Sequence, residues 1–298
     1  MLKKKKSKTE AEMNLISADR CKLFESIASE VWDRIIRAHD VGLNLREEGI
    51  TYDILVDILS FSKYKIKNFD VYAKPGYDEN KYGSDIDLFI ETSKNKYRWF
   101  ALQAKILKSN NRYNTLRDGY SATNPSYQWD KLKLLEAESG CIAYYLLYNG
   151  KARSKDYIFS GVDVCNRPYA EDQLGCSIVS VPVIERLGLK RNVRDTRFVN
   201  PTYEDIHPHD SEPWRTLVCC MLDKAEGILY EKVEISNYNS KFKPISEISL
   251  SEDNQDSEID KESSENFNEI IDNRIAIASK KADWDPTFKI VINRSDNY

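Results

Sequence analysis

Asp85 and Asp87 stand two residues apart in DIDLFIE (85–91), and Gln103 and Lys105 stand two apart in YRWFALQAKIL (97–107). If both segments are strands, each pair leaves one face of a sheet. TSKNK (92–96) reads as the turn between them, so 85–107 is expected to form a β-hairpin. A turn centred near residue 95 sets Asp87 opposite Gln103 and Asp85 opposite Lys105. Two carboxylates, an amide oxygen and an ammonium then share one patch, and Glu48 joins them from the preceding helix. Phosphodiester hydrolysis uses such a set. The diester is anionic and repels hydroxide. A divalent ion held by carboxylates neutralises it, lowers the pKa of bound water and stabilises the leaving oxygen. Mg²⁺, or Mn²⁺ in its place, prefers carboxylate, carbonyl and water oxygens. Asp87 and Glu48 are the expected charged ligands, with the Gln103 side-chain oxygen and the Ala104 carbonyl completing the shell. Asp85 is expected as a further ligand or as the partner of Lys105, and Lys105 as the cation that orients water or meets the phosphorane charge. The bland alternative is a cross-strand ion pair of Asp85 with Lys105, worth about 0.2–1 kcal/mol.

The surrounding elements follow from periodicity. Cys21, Phe24, Ala28, Val31 and Ile35 recur at steps of three and four, so 17–39 is expected to be an amphipathic helix. EEGITYDILVDILSF (47–61) is a second helix, with Thr51 as its N-cap and Ile54, Leu55, Ile58 and Leu59 as its buried face. Glu47 and Glu48 at its entry also have a purely structural explanation, because the helix dipole favours negative charge there. KYKIKNFDVYAK (63–74) has strand character and PGYDENKYGS (75–84) is a loop. YQWDKLKLLEAES (127–139) is helical and stops at Gly140, and CIAYYLLYN (141–149) is a strand buried on both faces. The order α, β, β, β, α, β predicts an α/β fold with one mixed sheet and helices packed on it.

Beyond this core, DYIFSGVDV and CSIVSVPVI are strand-like, and 212–230 reads as a helix with Pro213 in its first turn. The expected organisation is a disordered basic N-terminus (1–12), an N-terminal helix (13–46), a core (47–150), an α+β extension (151–235), an acidic disordered linker (236–268) and a C-terminal segment (269–298). In that last segment DPTFKIVINR adds a strand or docks elsewhere.

Glu48, then Asp87 after Gly83-Ser84-Asp85, then Gln103-Ala104-Lys105 on the next strand, resembles the PD-(D/E)xK nuclease superfamily over about residues 47–150. The stretches EEGIT, GSDIDLF, LQAKIL, RYNTL and YYLLYN are also similar to an uncharacterised bacterial family of that superfamily, with GCSIVS and EPWRTLVC downstream. The resemblance implies a restriction-endonuclease-like αβββαβ core and a Mg²⁺-dependent endonuclease acting on nucleic acid, DNA before RNA, in restriction or anti-phage defence. Two departures stand out. Gln103 occupies the position of an acid, and Ser84-Asp85-Ile86-Asp87 replaces the Pro-Asp pair, which leaves Asp85 and Asp87 as rival ligands with Asp87 preferred for its alignment.

The 298 residues carry a net charge of −4, unevenly spread. Residues 251–272 hold nine acids and one Lys, whereas 94–117 hold seven bases and no acid. A polyanion responds to the local field. Lys108, Arg112 and Arg117, with Tyr113 or Tyr120 interleaved, are therefore expected to follow a nucleic-acid backbone, the alternative being a solvated loop. Gln128 reads as an exposed helix residue first, the alternative being a contact to phosphate or to the site. His207, His209, Cys219 and Cys220 do not match zinc-ligand spacing. The six cysteines read as reduced thiols and no apolar run reaches about 18 residues, so a cytoplasmic protein without membrane spans is expected. MLKKKKSK lacks the apolar stretch of a secretory signal. Two rival readings remain: a nuclease-fold protein that only binds nucleic acid, and an assembly subunit, homo-oligomeric or joined to a defence partner through its N-terminal helix and acidic linker.

Overall fold

The computed structural model describes residues 6–64, 69–74, 83–93, 96–119, 126–153, 159–219, 221, 229–231, 243–244 and 287–292. The apolar stripe of the first helix buries Leu23, Phe24, Ile27, Ala28, Val31 and Ile35. This helix, α1, runs Lys6–Asp40. It begins earlier than expected and takes in residues 6–12, which are helical and not disordered. The segment KSKTEAEM is rich in Lys, Glu, Ala and Met, all good helix formers. Helix α2 (Glu47–Tyr64) starts with Glu47 and Glu48 in its first turn. Thr51 is therefore inside the helix and not its N-cap; its Oγ1 donates to the Glu47 carbonyl at 2.9 Å.

The remaining elements of the core are β1 (Phe69–Lys74), β2 (Ile86–Ser93), β3 (Lys96–Ile106), α3 (Gln128–Ser139) and β4 (Ile142–Tyr148). The α–β–β–β–α–β order thus holds. α3 ends at Gly140, whose φ of 73° suits a residue without a Cβ. Strand β3 alternates cleanly. Phe100, Leu102, Ala104 and Ile106 join the core under α1 and α2, while Tyr97, Trp99 and Ala101 join the one under α3. Helices on both faces leave the central strands buried on both sides, and the run of apolar residues in β4 reflects this.

The last described strand changes the topology. β11 (Thr287–Ile292) lies between β1 and β2, antiparallel to the first and parallel to the second. The segment expected to add a strand or dock elsewhere is central, so residues 47–150 do not close a sheet by themselves. β4 continues into β7 (Cys176–Ser180) and β8 (Glu212–Pro213). β9 (Leu229–Glu231) pairs with β3, and β10 (Lys243–Pro244) pairs with β1. The small pair β5 (Gly161–Val162) and β6 (Pro168–Tyr169) stands apart.

Two assignments in the extension differ from expectation. Val181–Gly188 is a helix, α4, because Pro182 suits a first helical turn and follows Ser180. Residues 212–230 are not one helix: β8 is followed by a 3₁₀ turn over Trp214–Val218, and residues 229–231 are strand. All five residues of that turn are buried, which a half-exposed helix could not allow. The Trp214 ring packs against Phe24, centroids 4.2 Å apart and planes tilted by 35°, and its Nε1 donates to the Phe24 carbonyl at 2.8 Å. Arg215 donates to Asp163 at 2.6 Å and to Glu25.

Cys165 is disulfide-bonded, which corrects the reading of six reduced thiols; Cys21, Cys141, Cys176 and Cys219 are free. Disulfide partners meet through the fold, so spacing alone did not reveal it. Most of the expected acidic linker (236–268) lies outside the described residues, apart from Lys243–Pro244. No helix among the described residues is long and apolar enough to cross a membrane.

Candidate active site

The ladder between β2 and β3 sets which acid meets Gln103. Asp87 pairs with Ala101 and not with Gln103, and a bulge lies between Glu91 and Ser93. Asp85, just before β2, hydrogen-bonds its amide to the Leu102 carbonyl at 2.8 Å. Its own carbonyl accepts from the Phe288 amide of β11, also at 2.8 Å. Gly83, two residues before it, has a φ of 70°, and a Cβ there would lie 3.3 Å from Lys131 of α3. The Asp85 backbone is thus held from both sides. Its Oδ2 accepts from the Ala104 amide at 2.7 Å and from Gln103 Nε2 at 2.5 Å.

These bonds orient Gln103. A carboxylate accepts only, so the amide nitrogen faces Asp85 and the oxygen faces away. Among the described residues that oxygen is buried without a hydrogen-bond partner, as are Glu48 Oε2 and Gln128 Oε1. All three residues line one cavity of about 190 Å³ with Glu47, Thr51, Asp85, Ala104, Lys105, Thr115, Asp118 and Phe288. Unpaired buried acceptors are costly unless something donates to them or carries positive charge. Three such oxygens beside a carboxylate have the composition of a hard cation's shell. Among the described residues no group of three or more His, Cys, Asp or Glu could hold a metal ion. Asp85 and Glu48 supply two carboxylates here, and amide or carbonyl oxygens must supply the rest.

Lys105 enters the cavity from β3. Its side chain is 6% exposed, and its Nζ lies 3.4 Å from Asp118 Oδ2. The partner is therefore Asp118 and not Asp85. Glu47 is structural at this wall: its Oε1 accepts from the Ile106 amide at 3.2 Å and from Thr115 Oγ1 at 3.4 Å. Thr51 Oγ1 lies 2.8 Å from the Tyr148 hydroxyl, which ties α2 to β4.

A family model described as "Family of unknown function (DUF6615)" matches residues 20–297. The chain belongs to DUF6615. The match runs from α1 through β11, so every wall of the cavity in this DUF6615 chain lies inside it. No curated protein and no solved structure matches the chain.

The other expected site residues of the DUF6615 chain fall elsewhere. Asp87 is 1% exposed and does not line the cavity. Its Oδ1 accepts from Ser84 Oγ at 3.1 Å and from Trp99 Nε1 at 3.2 Å, and Lys289 of β11 neighbours it. Burial lowers the Lys289 ammonium to a pKa of about 8, and the Asp87 charge opposes that shift.

The expected nucleic-acid contacts are mostly committed to the fold. Tyr113 is fully buried; its hydroxyl donates to Asn149 Oδ1 and lies 3.0 Å from His207 Nε2. Arg112 Nη1 donates to the Asn200 carbonyl at 2.6 Å, and Lys108 Nζ to the Leu45 carbonyl at 3.4 Å. Arg117 lies over the Phe198 ring at 3.4 Å and donates to the Tyr127 hydroxyl. A basic run read in one dimension could not show that these heads turn inward. Tyr120 lies outside the described residues. Thr115, Asp118 and Phe288 were missed as cavity residues, and nothing in local spacing marks them. Gln128, read first as an exposed helix residue with a contact to phosphate or the site as the alternative, is half-buried at the cavity wall.

Proposed function

We propose that this DUF6615 chain is a metal-dependent nuclease that hydrolyses phosphodiester bonds of nucleic acid, DNA before RNA. One observation carries the reading: Asp85, the unpaired oxygens of Glu48, Gln103 and Gln128, and the Lys105 ammonium surround a single cavity. Asp85, Glu48, Gln103 Oε1 and the Ala104 carbonyl would hold Mg²⁺ or Mn²⁺. Bound there, such an ion supplies charge neutralisation and a water of lowered pKa. Lys105, kept in place by Asp118, presents a compact positive charge where phosphate oxygens would lie. Gln103 and the Ala104 amide hold the Asp85 carboxylate in one orientation. A role in restriction or anti-phage defence is what the PD-(D/E)xK resemblance implies.

Gln103 at an acidic position favours a second reading, a nuclease fold that binds nucleic acid without cutting it or serves as an assembly subunit. The test is incubation of the purified chain with plasmid, linear duplex and RNA, with and without Mg²⁺. The proposal expects Mg²⁺-dependent cleavage that is lost in Asp85→Asn and Lys105→Ala. Per folded molecule, cleavage survives in Asp87→Asn, which instead loses stability. Binding without cleavage supports the second reading, and cleavage indifferent to Asp85→Asn refutes the site.

A further inference from the structure

Residues 189–199 form a second, shorter hairpin. The Asn192 amide donates to the Arg197 carbonyl at 2.7 Å, the Val199 amide to the Lys190 carbonyl at 3.0 Å, and Arg191 bridges to Phe198. Thr196, with a φ of 58°, turns the chain. Residues 189–197 are all exposed, and the tip residue Val193 is 98% exposed. The base is anchored: the Tyr113 amide donates to the Pro201 carbonyl at 3.0 Å, and Arg112 bridges to Thr202. Phe198 is covered by two guanidinium groups, Arg117 at 3.4 Å and Arg191 at 4.3 Å. Arg117 adjoins Asp118, so the anchoring loop is the one that walls the cavity.

The segment holds four bases (Lys190, Arg191, Arg194, Arg197) and one acid, Asp195. Arg197 is paired with Asp195 and Lys190 with Asp205. Arg191 and Arg194 form no ion pair among the described residues. A two-stranded ribbon fits the major groove of B-form DNA, about 12 Å wide, whereas the major groove of A-form RNA is too narrow for it. Single strands are gripped by exposed aromatic rings. The one aromatic ring of this arm is already covered by arginines, and among the described residues the exposed large apolar side chains are all aliphatic.

We infer that the 189–199 hairpin is an arm for double-stranded DNA, with Arg191 and Arg194 on backbone phosphates and Val193 entering the major groove beside the cavity. The substrate class rests on the nuclease reading of the cavity; the arm's binding does not depend on turnover. The test measures binding of a labelled duplex by the full chain without divalent metal, from 50 to 200 mM salt. Removing one phosphate-binding cation lowers the log–log salt slope by about 0.9. Arg191→Ala/Arg194→Ala is therefore expected to be shallower by about 1.8, with thermal unfolding unchanged. The corresponding double Lys variant keeps charge without the planar stack, and retains most of the slope. An unchanged slope in the folded double-Ala variant overturns the arm. Equal affinity for duplex RNA or single-stranded DNA overturns the assigned substrate class. Arm-dependent duplex binding with no Mg²⁺-dependent cleavage leaves the arm standing and removes the nuclease reading.

Discussion

Placing an acid at residue 103 tests the proposed cation seat without relying on turnover. Gln103 is 2% exposed, and its Nε2 donates to Asp85. Gln103→Glu sets two carboxyl groups against each other at hydrogen-bond distance. Without metal the cheapest arrangement protonates one, which keeps an O–H···O⁻ bond to Asp85. At pH 7 that means holding a proton about 2.7 units above the ordinary Glu pKa of about 4.3, a cost of about 3.7 kcal/mol. The folded pKa of the new group is raised, so the variant matches the wild type near pH 4 and loses about 1.4 kcal/mol per pH unit above that. A divalent ion lets both groups ionise. At 100 times its dissociation constant, it returns about 2.7 kcal/mol. Thermal or urea unfolding at pH 7 with EDTA and with Mg²⁺ reads both numbers. The expected result is a variant less stable than wild type in EDTA that gains more from Mg²⁺ than wild type does. A variant whose stability ignores Mg²⁺ would refute the claim that these oxygens seat a cation.

Three further outcomes follow from buried groups and close approaches. Burial lowers His207 to a pKa of about 3, and its ring bonds to Tyr113 and Ser211 as a neutral group. The unfolded chain takes up that proton first, so stability falls by about 1.4 kcal/mol per pH unit below about pH 6.5; His207→Asn, although weaker at pH 7, shows a flatter acid limb in urea titrations. For Lys289 the folded pKa of about 8 lies below the usual 10.5. The unfolded state holds more protons between those values, so wild type gains stability relative to Lys289→Met as pH rises through that window, read by paired unfolding curves. Gly175→Ala places a Cβ 1.9 Å from the Ala28 carbonyl oxygen and 2.8 Å from the Trp32 amide of α1. Both obstacles are backbone, so denaturation is expected to show a loss of about 3 kcal/mol or more.

The strands and helices of the core were legible because their apolar residues repeat at the periods that two-sided burial demands. The partners within the sheet were less so. DIDLFIE and YRWFALQAKIL announce a hairpin, but the turn is centred between residues 94 and 95, and the irregularity between Glu91 and Ser93 shifts the register by one more; together they move Asp87 to Ala101, two places from the expected partner. A bulge adds a residue without changing composition, so the choice between Asp85 and Asp87 lay beyond pattern reading. Glu48, Asp85, Gln103 and Lys105 were all identified and do share the cavity. Tyr113 looked like an aromatic interleaved among bases, yet Asn149 and His207, far along the chain, bury it. The basic turn KRNVRDTR was passed over because it follows apolar segments that draw attention to the core.

The polar groups of the cavity and the fold that positions them occupy different stretches of this chain. Residues 47–150 contain every polar group assigned to the cavity, yet they lack the strand that holds Asp85 from its far side. The Phe288 amide takes the Asp85 carbonyl, and the Phe288 side chain walls the cavity. Without β11, β1 and β2 have no ladder between them, since neither pairs with the other. A carboxylate whose backbone is free on one side can rotate away from the Ala104 amide, and Gln103 then loses the acceptor that points its oxygen inward. Geometry of this kind must hold within about half an ångström to serve catalysis. The family match from residue 20 to 297 spans the same distance as this dependence. The unit that makes the site is therefore the whole sheet, with α1 and α2 on one face and α3 and α4 on the other, and the segment with the recognisable residues is only the part of it that carries charge.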